Sequence, residues 1–63
     1  MTDKPEVEMV GRDGNAFSIL GRCHRASRKA GWSTEQWETF KAEATSSDYD
    51  HLLGTVMEHF EVS

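Results

Sequence analysis

Gly31-Trp32-Ser33-Thr34-Glu35-Gln36-Trp37-Glu38-Thr39-Phe40 (residues 31–40) is the stretch on which the fold turns. Ser33 and Gln36 have the S-x-x-Q spacing of a capping box. The Ser33 hydroxyl accepts from the backbone N–H of Gln36, and the Gln36 side chain reaches back to the N–H of Ser33. Two donors that the first helical turn leaves orphaned are thereby satisfied. Trp32, just before the cap, and Trp37, four positions into the helix, predict a hydrophobic staple that fixes the angle at which the helix leaves the turn. Gly31 suits the left-handed residue that ends a preceding helix. The stretch therefore reads as the junction of two helices. Trp37, Phe40 and Ala44 continue an apolar stripe at i, i+3 and i+7, and Thr45-Ser46-Ser47 ends it.

Working back from the junction, residues 16–30 carry helical periodicity. Phe17, Leu20 and His24 share one line, and Ile19, Cys23, Ala26 and Ala30 the next, so the two form one apolar face. Asn15 stands where an N-cap belongs, after the turn chemistry of Gly11-Arg12-Asp13-Gly14. Arg28 and Lys29 fall in the last turn, where cations suit the macrodipole. Gly21, mid-helix, costs about 1 kcal/mol relative to alanine, which points to another element approaching closely there.

Working forward, a third helix starts near Asp48, with Ser46, Ser47 or Asp48 as its cap. Tyr49, Leu52, Leu53, Val56, Met57 and Phe60 form its apolar face, and Gly54 interrupts the other side. Val7 and Met9 alternate with Glu6 and Glu8 over residues 6–10, and Phe60-Glu61-Val62 alternates again. Both stretches read as short strands that lie side by side. The expected fold class is mainly α: three short helices around one core, with a short two-stranded β element formed by the N- and C-terminal segments. A single small domain spans residues 1–63, with 1–5 frayed. Phe17, Ile19, Leu20, Cys23, Trp37, Phe40, Leu52, Leu53, Val56 and Phe60 are the expected core.

A domain of 63 residues has a stability on the order of 3–5 kcal/mol unless something staples it. The lone cysteine, Cys23, excludes an internal disulfide and suits a reducing compartment. No apolar run reaches a membrane span, and the N-terminal residues lack the core of a signal peptide. The expected location is therefore cytoplasmic, with no membrane partner.

The net charge of −4 is unevenly spread. Residues 1–34 hold six bases and four acids, whereas residues 35–63 hold one base, Lys41, and seven acids. The basic candidates Arg22, Arg25, Arg28 and Lys29 all lie on the first helix and offer a contact to an anion or an acidic partner. The acidic candidates Glu35, Glu38, Glu43, Asp48 and Asp50 lie on the second and third, and offer a contact to a basic groove. Solvated charge accounts for either set without a partner, as does pairing of the basic stripe with Glu35, Glu38 or Glu58.

Helix, glycine turn and capped helix together raise the question of a DNA-reading helix-turn-helix. Its reading helix would have to be the second, which carries three acids and one base over residues 33–43. Carboxylates facing phosphates are repelled. Cys23, His24, His51 and His59 include zinc-ligand types at poor spacing: the first two are adjacent on a helix and diverge, and the last two are two turns apart. No metal and no cofactor are implied. Asp48-Tyr49-Asp50-His51 groups acid, phenol and imidazole within one turn, but general acid–base chemistry needs an enclosing pocket, and helix capping accounts for the acids. The chain reads as non-enzymatic.

The segments Asp13-Gly14-Asn15-Ala16-Phe17, Ile19-Leu20-Gly21, Glu43-Ala44 and Tyr49-Asp50-His51-Leu52-Leu53 resemble a group of small bacterial and phage proteins of no known activity, with a DGNAFxILG … DYDHLL pattern. The resemblance covers roughly residues 11–62 and supplies no site residues. It implies a compact stand-alone domain from a phage or mobile element, a setting in which small proteins bind and block host proteins, defence systems among them. The expected function is a protein-binding module of that kind, with a host protein as partner. The rivals are a nucleic-acid-binding accessory protein that uses the basic stripe, and a self-assembling structural protein or homodimer.

Overall fold

A computed structural model of the chain describes residues 4–9 and 14–63. The expected turn at Gly11-Arg12-Asp13, the end of the first strand at Val10 and the first three residues lie outside the described residues. The elements are β1 (Glu6–Val7), α1 (Ala16–Lys29), α2 (Thr34–Ala44), α3 (Tyr49–His59) and β2 (Glu61–Val62). Three helices enclose one core, and the two short strands pair across its base.

The strands run parallel, with Glu6 opposite Glu61 and Val7 opposite Val62. Parallel neighbours need a long crossover, which the three helices provide. Glu61 N donates to Pro5 O (2.8 Å), Ser63 N to Val7 O (3.0 Å) and Met9 N to Ser63 O (2.7 Å). Lys4 Nζ donates to Met57 O (3.3 Å), so Lys4 and Pro5, expected to fray, are bonded to α3 and to β2 respectively. The period-two pattern holds: Val7 is buried and Met9 half-buried, while Glu6 and Glu8 face out.

Local signals set the helix ends. Asn15 Oδ1 accepts from Phe17 N (2.8 Å) and caps α1. At its other end Gly31 has φ +88°, Gly31 N donates to Arg28 O (3.1 Å) and Trp32 N to Ser27 O (2.9 Å). This pair of bonds around a left-handed glycine is a Schellman motif. Two residues later the capping box closes: Gln36 N donates to Ser33 Oγ (3.1 Å) and Ser33 N to Gln36 Oε1 (2.8 Å). The staple is realised through a third ring. Trp32 and Trp37 both pack on Phe40, at centroid distances of 5.8 and 5.5 Å. Asp48 caps α3 through His51 N (2.9 Å).

Val7, Ile19, Cys23, Trp37, Phe40, Ala44, Leu52, Val56 and Phe60 form the core. Leu20 and Leu53 lie at its edge, half-buried. Phe17, expected inside, is 86% exposed. The buried line of α1 runs through Ile19, Cys23 and Ser27. At about 100° per residue, Phe17 lies about 200° from Ile19 and so points away from it. Ser27 takes the inner position, with its hydroxyl satisfied by His24 O (2.8 Å). Gly21 does not admit a neighbour: a Cβ there would meet nothing within 4 Å.

Candidate functional site

The surface feature with the richest chemistry is a groove of about 740 Å³ between α2 and α3. These helices run antiparallel, joined at one end by Glu43 and His51 and at the other by Phe40 against His59. Glu35, Thr39 and Glu43 recur every four residues along the α2 wall, and His51, Thr55 and His59 along the α3 wall. Phe40 and Trp32 supply its aromatic surface, and Glu58 completes the rim.

His51 is the bolt of the closed end. Its Nε2–H faces Glu43 Oε2 (2.8 Å) and the Glu43 carbonyl (3.0 Å), with Ser46 Oγ at 3.3 Å. Ser46 Oγ itself donates to the Glu43 carbonyl (2.7 Å). A last-turn carbonyl of α2 is thus satisfied from the next helix. The hydrogen bond to Glu43 raises the His51 pKa above 6.5, opposed in part by desolvation. At the other end His59 Nδ1 donates to Thr55 O (3.0 Å), and its ring stands edge-on to Phe40 at 5.4 Å.

The sequence-derived candidates divide between this groove and other surfaces. Glu35 and Glu43 line it. Glu38, on α2, is exposed outside the lining; Asp48 is occupied as the cap of α3; Asp50 is exposed in the first turn of α3. Glu58 belongs to the groove yet was not among the acidic candidates, because residue spacing along one helix does not report which rim faces another helix. The basic stripe contracts. Arg22 sits half-buried at the edge of the inward face, whereas Arg25, Arg28 and Lys29 are exposed and make no ion pair among the described residues. They lie exposed on α1, outside the lining of this groove.

The zinc-type residues occupy separate environments. Cys23 is fully buried, and burial pushes its thiol up to about 12 against the pull of the Arg22 charge. It is therefore protonated at neutral pH and is neither nucleophile nor thiolate ligand. His24 packs on Trp37 at 4.7 Å, and His51 is engaged by Glu43. Among the described residues no three His, Cys, Asp or Glu side chains cluster to hold a metal ion. In Asp48-Tyr49-Asp50-His51, Asp48 caps, His51 bolts, and the Tyr49 hydroxyl donates to Gly14 O, which ties the entry of α1 to the start of α3. Three of the four side chains thus have structural work.

No family model matches the chain, and no curated protein or solved structure matches it either. No helix among the described residues is long and apolar enough to cross a membrane.

Proposed function

We propose that the protein is a non-enzymatic protein-binding module whose interface is the groove between α2 and α3. One observation carries this reading: a concave surface joins aromatic area from Trp32 and Phe40 to the carboxylates of Glu35 and Glu58. Concave, mostly apolar surface with a few placed polar groups is the usual form of a recognition site. The small size and the motif resemblance support a reading in which such a module comes from a phage or mobile element and acts in the cytoplasm as an inhibitor or modulator of a host complex, such as a defence system. Capture on tagged protein from host lysate tests it. The expected result is a stoichiometric protein partner that survives Arg25→Glu with Lys29→Glu and is lost on Gly54→Leu, which fills the groove from α3. Loss on the charge reversals with retention on Gly54→Leu would overturn it.

A second reading is a nucleic-acid accessory protein, favoured by the exposed trio Arg25, Arg28 and Lys29. It predicts capture of nuclease-sensitive material and a binding constant that falls by about one counterion's worth of salt dependence per arginine removed. The overall charge of −4 works against it.

A further inference from the structure

Resting on the groove reading, we propose that the groove receives a short arginine-bearing segment of the partner, with one guanidinium seated at the Trp32 end between Glu35 and Glu58. The antiparallel course of α2 and α3 brings the start of α2, which carries Glu35, to the end of α3, which carries Glu58. Trp32 is at the same end, its ring 5.2 Å from Phe60, and it is half-buried with part of its surface in the groove. Glu43, at the far end, is already engaged by His51. Glu35 and Glu58 make no hydrogen bond or ion pair among the described residues, and the lining holds neither lysine nor arginine. The two carboxylates therefore share one groove lining with Trp32 and Phe40, and neither has a cation partner among the described residues.

Two breaches of helix rules mark the same groove. Glu58 stands in the last turn of α3, at the negative end of the macrodipole, where a carboxylate destabilises the helix and a cation is preferred. Gly54 interrupts α3 with no packing reason, since a Cβ there would meet nothing within 4 Å. A helix-interior glycine costs about 1 kcal/mol relative to alanine; what it provides here is an open groove wall. Gly21 of α1 is equally open but is not in this lining, whereas Gly54 and Glu58 share it.

Arginine fits better than lysine because its planar guanidinium stacks on an aromatic face while forking to carboxylates. A purely apolar segment would bury both carboxylates unpaired, which is costly. The α2 wall from Glu35 to Glu43 is about 12 Å long, room for about four extended residues. A second copy of this chain could offer Arg25 or Arg28, but two molecules of charge −4 repel.

The test is a fluorescence titration of the whole protein, which reads Trp32 together with the buried Trp37, with the capped peptide Ala-Arg-Ala-Arg and its lysine and citrulline counterparts. Citrulline keeps the shape of arginine and removes its charge. Saturable binding is expected for the arginine peptide, weaker binding for lysine, and a loss of about tenfold or more for citrulline, as for a charge-assisted hydrogen bond. Glu58→Gln should weaken the arginine peptide to a similar degree, and Gly54→Leu should abolish it, with helicity unchanged in both. Equal binding of arginine and citrulline peptides, or binding unaffected by either variant, would overturn the inference, as would a concentration-dependent doubling of mass that the same variants abolish. If a lysate partner is lost on Gly54→Leu while the arginine peptide does not bind, the module reading stands and the arginine assignment fails. If neither binds, both fail.

Discussion

The two joints of α2 are closed by different means. The α1–α2 joint is local. A Schellman motif at Gly31 and a capping box at Ser33 and Gln36 complete each other within the ten residues from Ser27 to Gln36, and none of their four hydrogen bonds involves a titrating group. The α2–α3 joint is tertiary. It rests on His51 reaching back eight residues to the side chain and carbonyl of Glu43, with Ser46 between them. The first joint is thus specified by chain chemistry and insensitive to pH, whereas the second is assembled only when α3 docks and carries a titrating ring. The groove runs from one joint to the other, so its open end is set by the rigid joint and its closed end by the adjustable one.

The most drastic way to break this arrangement is to remove the ring on which the aromatic residues around the first joint converge. Phe40 packs against Trp32, Trp37, His59 and Phe60, and it is only 3% exposed. Phe40→Ala should cost about 3–5 kcal/mol. A domain this small holds on the order of 3–5 kcal/mol in total, so thermal denaturation followed by circular dichroism should find the variant largely unfolded at room temperature.

A smaller loss isolates the local joint. Ser33→Ala removes one half of the capping box and should cost about 1 kcal/mol. Urea denaturation should show this cost unchanged between about pH 5 and about pH 8, the usual range of maximal stability. A cost that varied across that window would show that the two joints are not independent.

The smallest effect concerns the tertiary joint. The folded-state pKa of His51 is raised above 6.5 by its bond to Glu43. The protonated ring is favoured in the folded state, so the contribution is complete below the unfolded value and is lost as pH rises through the folded value. Stability should therefore decline modestly on the alkaline side of 6.5. His51→Gln should abolish that decline. Nuclear magnetic resonance titration of the ring checks the direction, and a pKa at or below the unfolded value would remove the bolt from the account.

The contrast between the joints also explains what could be read from the chain. The helix count, the caps at Asn15 and Ser33, the left-handed Gly31 and the alternation at both termini are local features, and each was legible because its chemistry lies within a few residues; the sequence narrows the third cap to Ser46, Ser47 or Asp48, and the structure selects Asp48. The core was legible where aliphatic and aromatic residues recur at helical spacing. It misled at Phe17, because an apolar residue at a helix start looks like core until the buried line is fixed by what packs against it. Ser27 was hidden for the converse reason: a hydroxyl that bonds its own helix at His24 O leaves an outwardly polar residue free to be buried.

The candidate site was only half legible. Glu35 and Glu43 were among the acidic candidates, but the aromatic wall, Glu58 and the open Gly54 became one surface only through the antiparallel packing of α2 on α3. The four-residue basic stripe became an exposed trio once Arg22 turned toward the core edge.

By itself the sequence determined three capped helices, their joints in part, the pairing tendency of its ends and a charge split between its halves. All of these arise from hydrogen bonds and periodicities a few residues long. The tertiary structure decided which helix faces lie inward, the parallel sense of the two strands, the His51–Glu43 bolt and the groove. These depend on groups up to 55 residues apart in the Glu6–Glu61 pairing, which meet only when burial of a common core fixes the angles between helices.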